Sequence, residues 1–222
     1  MNSTCVIHPV LYNLLHGLGN GLNHLSENIK MKFNELNAEQ QEKAIELNRD
    51  INVDYQEWND WVKEKHHSIL EAVGFEDVES QYSGFCSQGD GASFTAGNVD
   101  IEKFLRSQKR WTHYRCLHEH IRIKDITCKV SRDHGSRYVH YNTTAAELSG
   151  EWYIEMTSKK SEMYEELEKE IDGFITEQGK EYYSDLDTAY YDLISDEQVK
   201  QTIIANDMDF EEDPRDASVT YL

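Results

Sequence analysis

Cysteine is scarce in this sequence, and long hydrophobic runs are missing from it. The four cysteines, Cys5, Cys86, Cys116 and Cys128, form neither a CxxC pair nor the spacing of a disulfide framework. We therefore expect reduced thiols in a cytosolic protein. No stretch approaches the roughly 20 apolar residues of a transmembrane helix, and the N-terminus has no basic segment followed by an apolar run. We expect neither a secreted disulfide scaffold nor a membrane protein.

Basic residues are also few, since 22 lysines and arginines stand against 42 acids and leave a net charge of −20. Residues 151–222 hold 21 of the acids and 6 of the bases, whereas ten bases fall between residues 101 and 140. An acidic third of this kind repels phosphate, which excludes direct nucleic-acid binding there and favours a basic protein as partner. Two alternatives stay open: the basic middle packs against the acidic end, or the charge only confers solubility.

Helical patterns cover much of the chain. Asn37 followed by Gln40 is the signature of a capping box, and Gly74 suits the position after a helix end. The predicted helices are one after Asn37, one over 55–73 capped by Asn52 or Asp54, one from Asp100 to Leu117, two after residue 159 that separate near Gly179, and a short one capped by Ser195.

Short alternations of apolar and polar residues predict four strands in two hairpin-like pairs, 78–85 with 92–99 and 121–130 with 137–144. We therefore expect an α+β fold, with a small antiparallel sheet of about four strands packed against several helices and a helical, acidic C-terminal third. The expected organisation is a partly ordered N-terminal extension over 1–36, a single α+β domain over 37–206 and an acidic tail over 207–222.

The most specific stretch runs from Tyr82 to Phe94, with the sequence YSGFCSQGDGASF. Its glycines permit positive φ and let a ligand approach the backbone. Asp90 is open to three interpretations: a general base, a metal ligand or an Asx-turn residue. An ordered turn explains the stretch as well as a site does. The candidate binding residues here are Ser87, Gln88, Gly89, Asp90 and Gly91.

Histidines supply the other candidates for proton chemistry and metal binding. The alternative catalytic set is Gln88, Asp90, His134 and His140, with Arg132 and Arg137 holding an anionic substrate. A helix that persists past residue 117 would place His113, Cys116 and His120 on one face, as a zinc site requires. No second ligand pair with recognisable spacing follows, so we assign no metal and no cofactor.

Three blocks of sequence resemble a known family. They are the YSGFCSQGDGASF stretch, RYVH at 137–140, and SDEQVKQTIIAN at 195–206 followed by FEED at 210–213, with DYQEW at 54–58 also similar. The chain resembles small phage and prophage proteins of unknown function, some of which carry the label of an antitoxin. The likeness implies a mobile-element protein in a bacterial cytoplasm and supplies no catalytic residue. Cys86 departs from the pattern, which has a large aromatic there, and puts a contact beside the loop in doubt.

Two hypotheses of function follow. The favoured one is a non-enzymatic protein that binds a basic host protein, such as a defence nuclease, a toxin or part of the transcription machinery, and inhibits or redirects it by mimicking nucleic acid. Its expected acidic contacts are Glu162, Glu165, Glu166, Asp185, Asp187 and Asp192. The alternative is a small enzyme or ligand-binding protein for a phosphate-bearing substrate, acting through the SQGDGAS loop and His140.

Overall fold

A computed structural model of the chain describes residues 30–133, 135–150, 158–212 and 219–221. The elements in chain order are β1 (Lys30–Lys32), α1 (Ala38–Leu47), α2 (Asp60–Ala72), β2 (Phe75–Tyr82), β3 (Ala92–Val99), α3 (Ile101–Ser107), α4 (His118–Arg122), β4 (Thr127–Arg132), β5 (Thr144–Ser149), α5 (Ser158–Leu193), α6 (Asp196–Ala205), β6 (Asp209–Glu212) and β7 (Val219–Tyr221). Helices stand beside two antiparallel sheets, which confirms the predicted α+β class.

The chain divides into two compact units. Val53–Leu193 forms the larger unit, and the described parts of Met1–Asn52 and Ile194–Leu222 form the smaller one. The boundaries that the sequence suggested for an extension, a domain and a tail stay a prediction. None of the described helices is both long enough and apolar enough to cross a membrane.

The smaller unit contains a three-stranded sheet in the order β1-β6-β7, with α1 and α6. The capping box of α1 is confirmed, because the Asn37 side chain accepts from the Gln40 amide at 3.0 Å and the Gln40 side chain accepts from the Asn37 amide at 3.1 Å. Ser195 caps α6 as predicted. Phe210 of β6 is fully buried. The shared core of this unit is Phe33, Leu36, Ala44, Val199, Ile203, Met208 and Phe210.

The larger unit is built on a four-stranded antiparallel sheet in the order β2-β3-β4-β5. The two predicted hairpin-like pairs are both present, and β3 occupies the predicted residues. The second pair lies further along the chain than predicted, at 127–132 and 144–149. The prediction was wrong because 118–122 forms α4, through which Ile121 enters the core, while Ile123 is exposed.

The predicted helix from Asp100 to Leu117 is wrong beyond Ser107. Asp100 does cap α3, accepting from the Lys103 amide at 2.9 Å. The helix then closes in a Schellman motif around Lys109, whose φ is +59°, with the Arg110 amide donating to the Leu105 carbonyl at 2.8 Å. α4 ends in the same way at Lys124, with φ +61°. Lysine holds a conformation that usually marks a glycine, so the sequence shows no stop signal.

The start of α2 also differs from the prediction. Neither Asn52 nor Asp54 caps it, because a 3-10 turn over Gln56–Asn59 precedes the helix. Asn59 stands at the cap position, yet its side-chain amide donates to the Tyr82 hydroxyl at 3.0 Å. Gly74 follows the helix end with φ +106°, as predicted.

α5 is a single helix of 36 residues, so the predicted break near Gly179 is wrong. Gly173 is exposed and has open space around it. Gly179 is buried, and a Cβ atom there would lie 2.6 Å from the Tyr141 Cβ. Gly179 therefore allows the segment before β5 to approach the helix closely. Leu167, Ile171 and Ile175 of α5 are fully buried against the sheet residues Phe75 and Phe94, among others.

These two glycines give a matched pair of variants. Gly173→Ala should raise the free energy of unfolding by roughly 0.5–1 kcal/mol, since alanine is the better helix former. Gly179→Ala should lower it by about 1–3 kcal/mol, because the added methyl group collides with Tyr141. Urea unfolding followed by circular dichroism measures both. Equal effects of one sign would contradict the proposed close approach.

His66 is a second test of the core. It is 4% exposed, stacks on Tyr182 with the ring centroids 4.5 Å apart, and its Nε2 has no hydrogen-bond partner among the described residues. Burial, reinforced by the neighbouring His67, lowers the pKa of His66 to about 4. The folded state therefore resists the protonation that the unfolded state accepts near pH 6.5.

Stability should be greatest above pH 6.5 and should fall as the pH drops towards 4, with a His66 contribution of roughly 2–4 kcal/mol. Carboxylates titrate in the same range, so His66→Phe is the reference. The wild type should lose more stability than this variant between pH 6.5 and 4 in urea unfolding. Parallel pH curves would show that His66 is not held neutral.

Candidate functional site

The SQGDG stretch forms a closed loop between β2 and β3. The Ser83 amide donates to the Gly91 carbonyl at 3.0 Å, and the Gly91 amide donates to the Ser83 hydroxyl at 3.2 Å. Inside the loop, one oxygen of Asp90 accepts from the amides of Cys86 at 2.9 Å and Ser87 at 2.6 Å. The Asp90 carboxylate therefore organises the turn, which matches the turn interpretation of this residue.

Three glycines of the loop are required by its geometry. Gly84 has φ +124° and Gly89 has φ +101°. A Cβ at Gly89 would lie 2.8 Å from the ring of Tyr138, and one at Gly91 would lie 2.6 Å from Cδ2 of His140. The RYVH segment thus packs on the loop at the points where side chains are missing.

Aromatic side chains fix the loop to α5. Phe85 stacks on Tyr190 at 4.7 Å and on Tyr183 at 5.8 Å. The hydroxyl of Tyr183 donates to the Gly84 carbonyl at 3.2 Å, and that of Tyr191 donates to the Phe85 carbonyl at 3.3 Å. Sequence reasoning missed these tyrosines, because nothing local links residues 183 and 191 to residues 84 and 85.

The loop surface that faces solvent is small and polar. Cys86, Ser87 and Gln88 are exposed, and the Cys86 sulfur lies 3.9 Å from the Tyr191 hydroxyl. Cys86, where the resemblance led us to expect a large aromatic, therefore lies on the surface of the loop, beside Tyr191. The hydroxyl of this tyrosine has a raised pKa, chiefly through its hydrogen bond with Cys86.

Only some of the other residues of the alternative catalytic set lie close to the glycine loop. His140 lies against Gly91, and its Nδ1 accepts from the Asn142 amide at 3.2 Å. Arg132 donates to the Gln81 side chain at 2.9 Å, and Arg137 is exposed. His134 lies outside the described residues. The segment of His140 is therefore a neighbour of the loop, but the Asp90 carboxylate is already engaged by two amides.

The candidate zinc residues do not converge. His113 contacts Glu166 at 2.9 Å, His120 contacts Asp125 at 3.2 Å, and Cys116 packs against the hydrophobic core. The break after α3 removes the helix face that would have aligned them. Within the parts of the chain that the structure describes, no group of three or more histidine, cysteine or acidic residues could hold a metal ion.

Part of the acidic third is neutralised by the basic middle. Arg110 bridges two acids of α5, at 3.1 Å from Glu166 and 3.2 Å from Glu170. Tyr114 donates to Glu170 at 2.6 Å, and burial together with this carboxylate raises the pKa of the tyrosine. The alternative in which the basic middle packs against the acidic end is thus realised at these positions.

Other acids of α5 stay open to solvent. Asp185 pairs with Lys65 at 2.7 Å. Glu162, Glu165 and Asp192 are exposed, and Asp187 is half-buried. No ion pair joins these four acids to a cation among the residues that the structure describes. The expected acidic surface is therefore smaller than the sequence suggested.

A groove with a volume of about 560 Å³ lies beside β2, the strand that precedes the glycine loop. Its lining residues include Asn59, Lys63, Ser80, Tyr82, Val139 and Tyr182. No sequence pattern predicted it, since β2, α2 and α5 contribute from separate parts of the chain.

Comparison with known families shows an uncharacterised family. The chain belongs to the family described as a domain of unknown function (DUF8835), which matches residues 58–196 and so includes the whole glycine loop and α5. No curated protein and no solved structure matches the chain.

The loop itself is tested by Asp90→Ala. Loss of an acceptor shared by two amides should lower the free energy of unfolding by about 1–3 kcal/mol. Gln88→Ala, on the exposed tip of the same loop, should change it by less than about 0.5 kcal/mol. Thermal or urea unfolding gives the comparison. An Asp90→Ala variant as stable as wild type would favour a ligand-binding role for this carboxylate over a structural one.

Proposed function

We propose that this protein binds a basic protein through the open carboxylates of α5. The helix contains eleven acids and four lysines. The acids that pair with no cation among the described residues are Glu162, Glu165, Glu168, Asp172, Glu177, Glu181, Asp187 and Asp192, of which Asp172 accepts from the Ala146 amide at 2.6 Å. This set of unpaired carboxylates on one long helix is the observation that carries the proposal. Such a surface accelerates encounter with a cationic partner and suppresses binding of nucleic acid.

The ion pairs within the protein reduce the number of acids assigned to the proposed contact surface. Glu166 and Asp185, which the sequence offered as contacts, are held by Arg110 and Lys65. Each of these two acids already has a cation within 3.1 Å, so less of its charge is available to a partner. We therefore assign the contact to Glu162, Glu165, Asp187 and Asp192.

The family resemblance supports the biological setting of the proposal. A phage or prophage protein of this kind acts in a bacterial cytoplasm, where its target is a basic host protein that handles nucleic acid. Defence nucleases, toxins and the transcription machinery share such a groove, and an antitoxin label fits the same chemistry. The acidic helix would occupy the groove in place of nucleic acid and inhibit or redirect the protein.

The alternative function rests on one observation. His140 lies against Gly91, next to Asp90, so the loop and the RYVH segment form one surface. Arg137 is exposed and directly precedes Tyr138, which packs on Gly89, so it is the proposed contact for a phosphate-bearing ligand. Because the Asp90 carboxylate is occupied, this surface supports ligand binding more readily than proton transfer by Asp90.

The acidic proposal is tested with a neutralised helix. Glu162→Gln/Glu165→Gln/Asp187→Asn should weaken capture of a basic protein from bacterial lysate at least tenfold, because three open charges are removed. The bound protein should also elute from the wild type as salt rises. Quantitative mass spectrometry of the eluates is the measurement.

The control variant is Glu39→Gln/Glu42→Gln/Asp50→Asn, which removes the same charge from exposed acids outside α5. It should retain the partner. An equal loss in both variants would reduce the effect to net charge, and capture of nothing, or of a partner insensitive to salt, would refute the proposal.

A further inference from the structure

The groove beside β2 has a hydrogen-bonded serine and histidine at its wall. Ser80 lies on β2, is half-buried and lines the groove, and its Oγ is 2.9 Å from Nε2 of His67 on α2. Lys63, one turn before His67 on the same helix, lines the groove as well. Two regular elements thus position the serine and the imidazole.

The protonation state of His67 is set by its surroundings. Burial, followed by the positive charge of Lys63, lowers the pKa of His67, so the imidazole is neutral at pH 7 and can accept a proton. A serine hydroxyl has one hydrogen. In the tautomer whose Nε2 carries no hydrogen, Ser80 donates that hydrogen to His67.

The geometry points to Ser80 as a nucleophile for acyl transfer, with His67 as its general base. A serine is a weak nucleophile until a base within hydrogen-bond reach takes its proton, and 2.9 Å satisfies that distance. Neither residue takes part in the acidic surface of α5 or in the glycine loop.

The shape and lining of the groove define the substrate class. About 560 Å³ accommodates a small molecule. The wall is polar, with the side chains of Gln56, Glu57, Asp60, Lys63 and Gln81 around the serine. A small polar ester or amide fits this lining better than a fatty acyl chain does.

The proposed reaction has two balanced steps. Ser80 Oγ forms a bond to the carbonyl carbon as its proton passes to His67, and the bond from that carbon to the leaving group breaks while His67 returns the proton to it. Water then attacks the carbonyl carbon of the acyl ester and gives a proton to His67, and His67 passes that proton to Ser80 Oγ as the bond between this oxygen and the acyl carbon breaks and the acid leaves. No oxidant, reductant or metal is involved.

A fluorophosphonate probe tests the serine directly. Its phosphorus bonds to an activated serine oxygen and expels fluoride, so the adduct is visible by mass. We expect one adduct on the full-length wild type, mapped to Ser80 by peptide mass spectrometry. Ser80→Ala should abolish it, and His67→Gln should slow its formation about 100-fold or more. Ser68→Ala, an exposed serine on the same helix as His67, should react like wild type.

The pH dependence of labelling by the wild type adds a readout that needs no variant. The groups around His67 are Lys63 and Glu71 on its own helix, the adjacent His66, and Ser80 from β2. The labelling rate should rise as His67 loses its proton, with a midpoint below pH 6.5, and should be level above pH 7. A serine that is only a structural clamp would give no adduct, and an adduct whose rate climbs steadily to pH 10 would reflect hydroxide. Either result overturns the proposal, provided that a serine hydrolase treated in parallel is labelled.

Discussion

Close packing in the larger unit depends on three glycines, because a Cβ atom at any of them would overlap a neighbouring residue. Gly89 receives the ring of Tyr138, Gly91 receives His140, and Gly179 receives Tyr141. One short segment before β5 is therefore packed at once against the glycine loop and against the long helix. Any side chain at these glycines would overlap the segment, with separations of 2.6 to 2.8 Å. Interiors at native packing density do not absorb overlaps of that size without moving backbone. The loop, the segment and α5 therefore hold a single arrangement relative to one another.

Tyrosine hydroxyls add hydrogen bonds to this packing arrangement. The chain contains 13 tyrosines, and each buried ring carries a hydroxyl that needs a partner. Tyr183 and Tyr191 use theirs on loop carbonyls, while Tyr114 uses its hydroxyl on Glu170. A composition poor in aliphatic residues thus still gives directional contacts between elements far apart in sequence. These contacts fix which turn of α5 faces the loop, which apolar packing alone would leave less strictly defined.

Structural features that depend only on residues close together in the sequence could be predicted. The caps at Asn37, Asp100 and Ser195 each satisfy an amide within three residues, so the sequence shows them directly. The glycine loop was recognisable for the same reason, since positive φ and a turn-forming aspartate are local properties. Predicting this much required no knowledge of the rest of the fold.

The helix ends were predicted wrongly because glycine was taken as the residue that marks where a helix stops. Helices end at Lys109 and Lys124 with positive φ and no glycine to mark them, while Gly179 lies inside a helix that does not end. At Gly179 the relevant fact is the approach of Tyr141, which lies 38 positions earlier in the chain and cannot be read locally. The Ser80–His67 contact was missed for the same reason, because tertiary packing creates it. Contact between the basic middle and the acidic end was one of the open alternatives, but the pairing of Arg110 with Glu166 could not be assigned without the fold.

Some carboxylates of α5 form ion pairs with other described residues, and others do not. Burial of Leu167, Ile171 and Ile175 contributes about 1.5–3 kcal/mol each, whereas a pair of like charges one turn apart costs about 0.2–0.5 kcal/mol. The helix would therefore form whether or not its exposed face were acidic. Arg110 removes the repulsion between Glu166 and Glu170, so these two acids have a structural role. Glu162 and Glu165 have no such ion-pair partner among the described residues. The packing of α5 therefore uses Glu166 and Glu170 but not Glu162 and Glu165, which is why the proposed contact is assigned to the latter two acids.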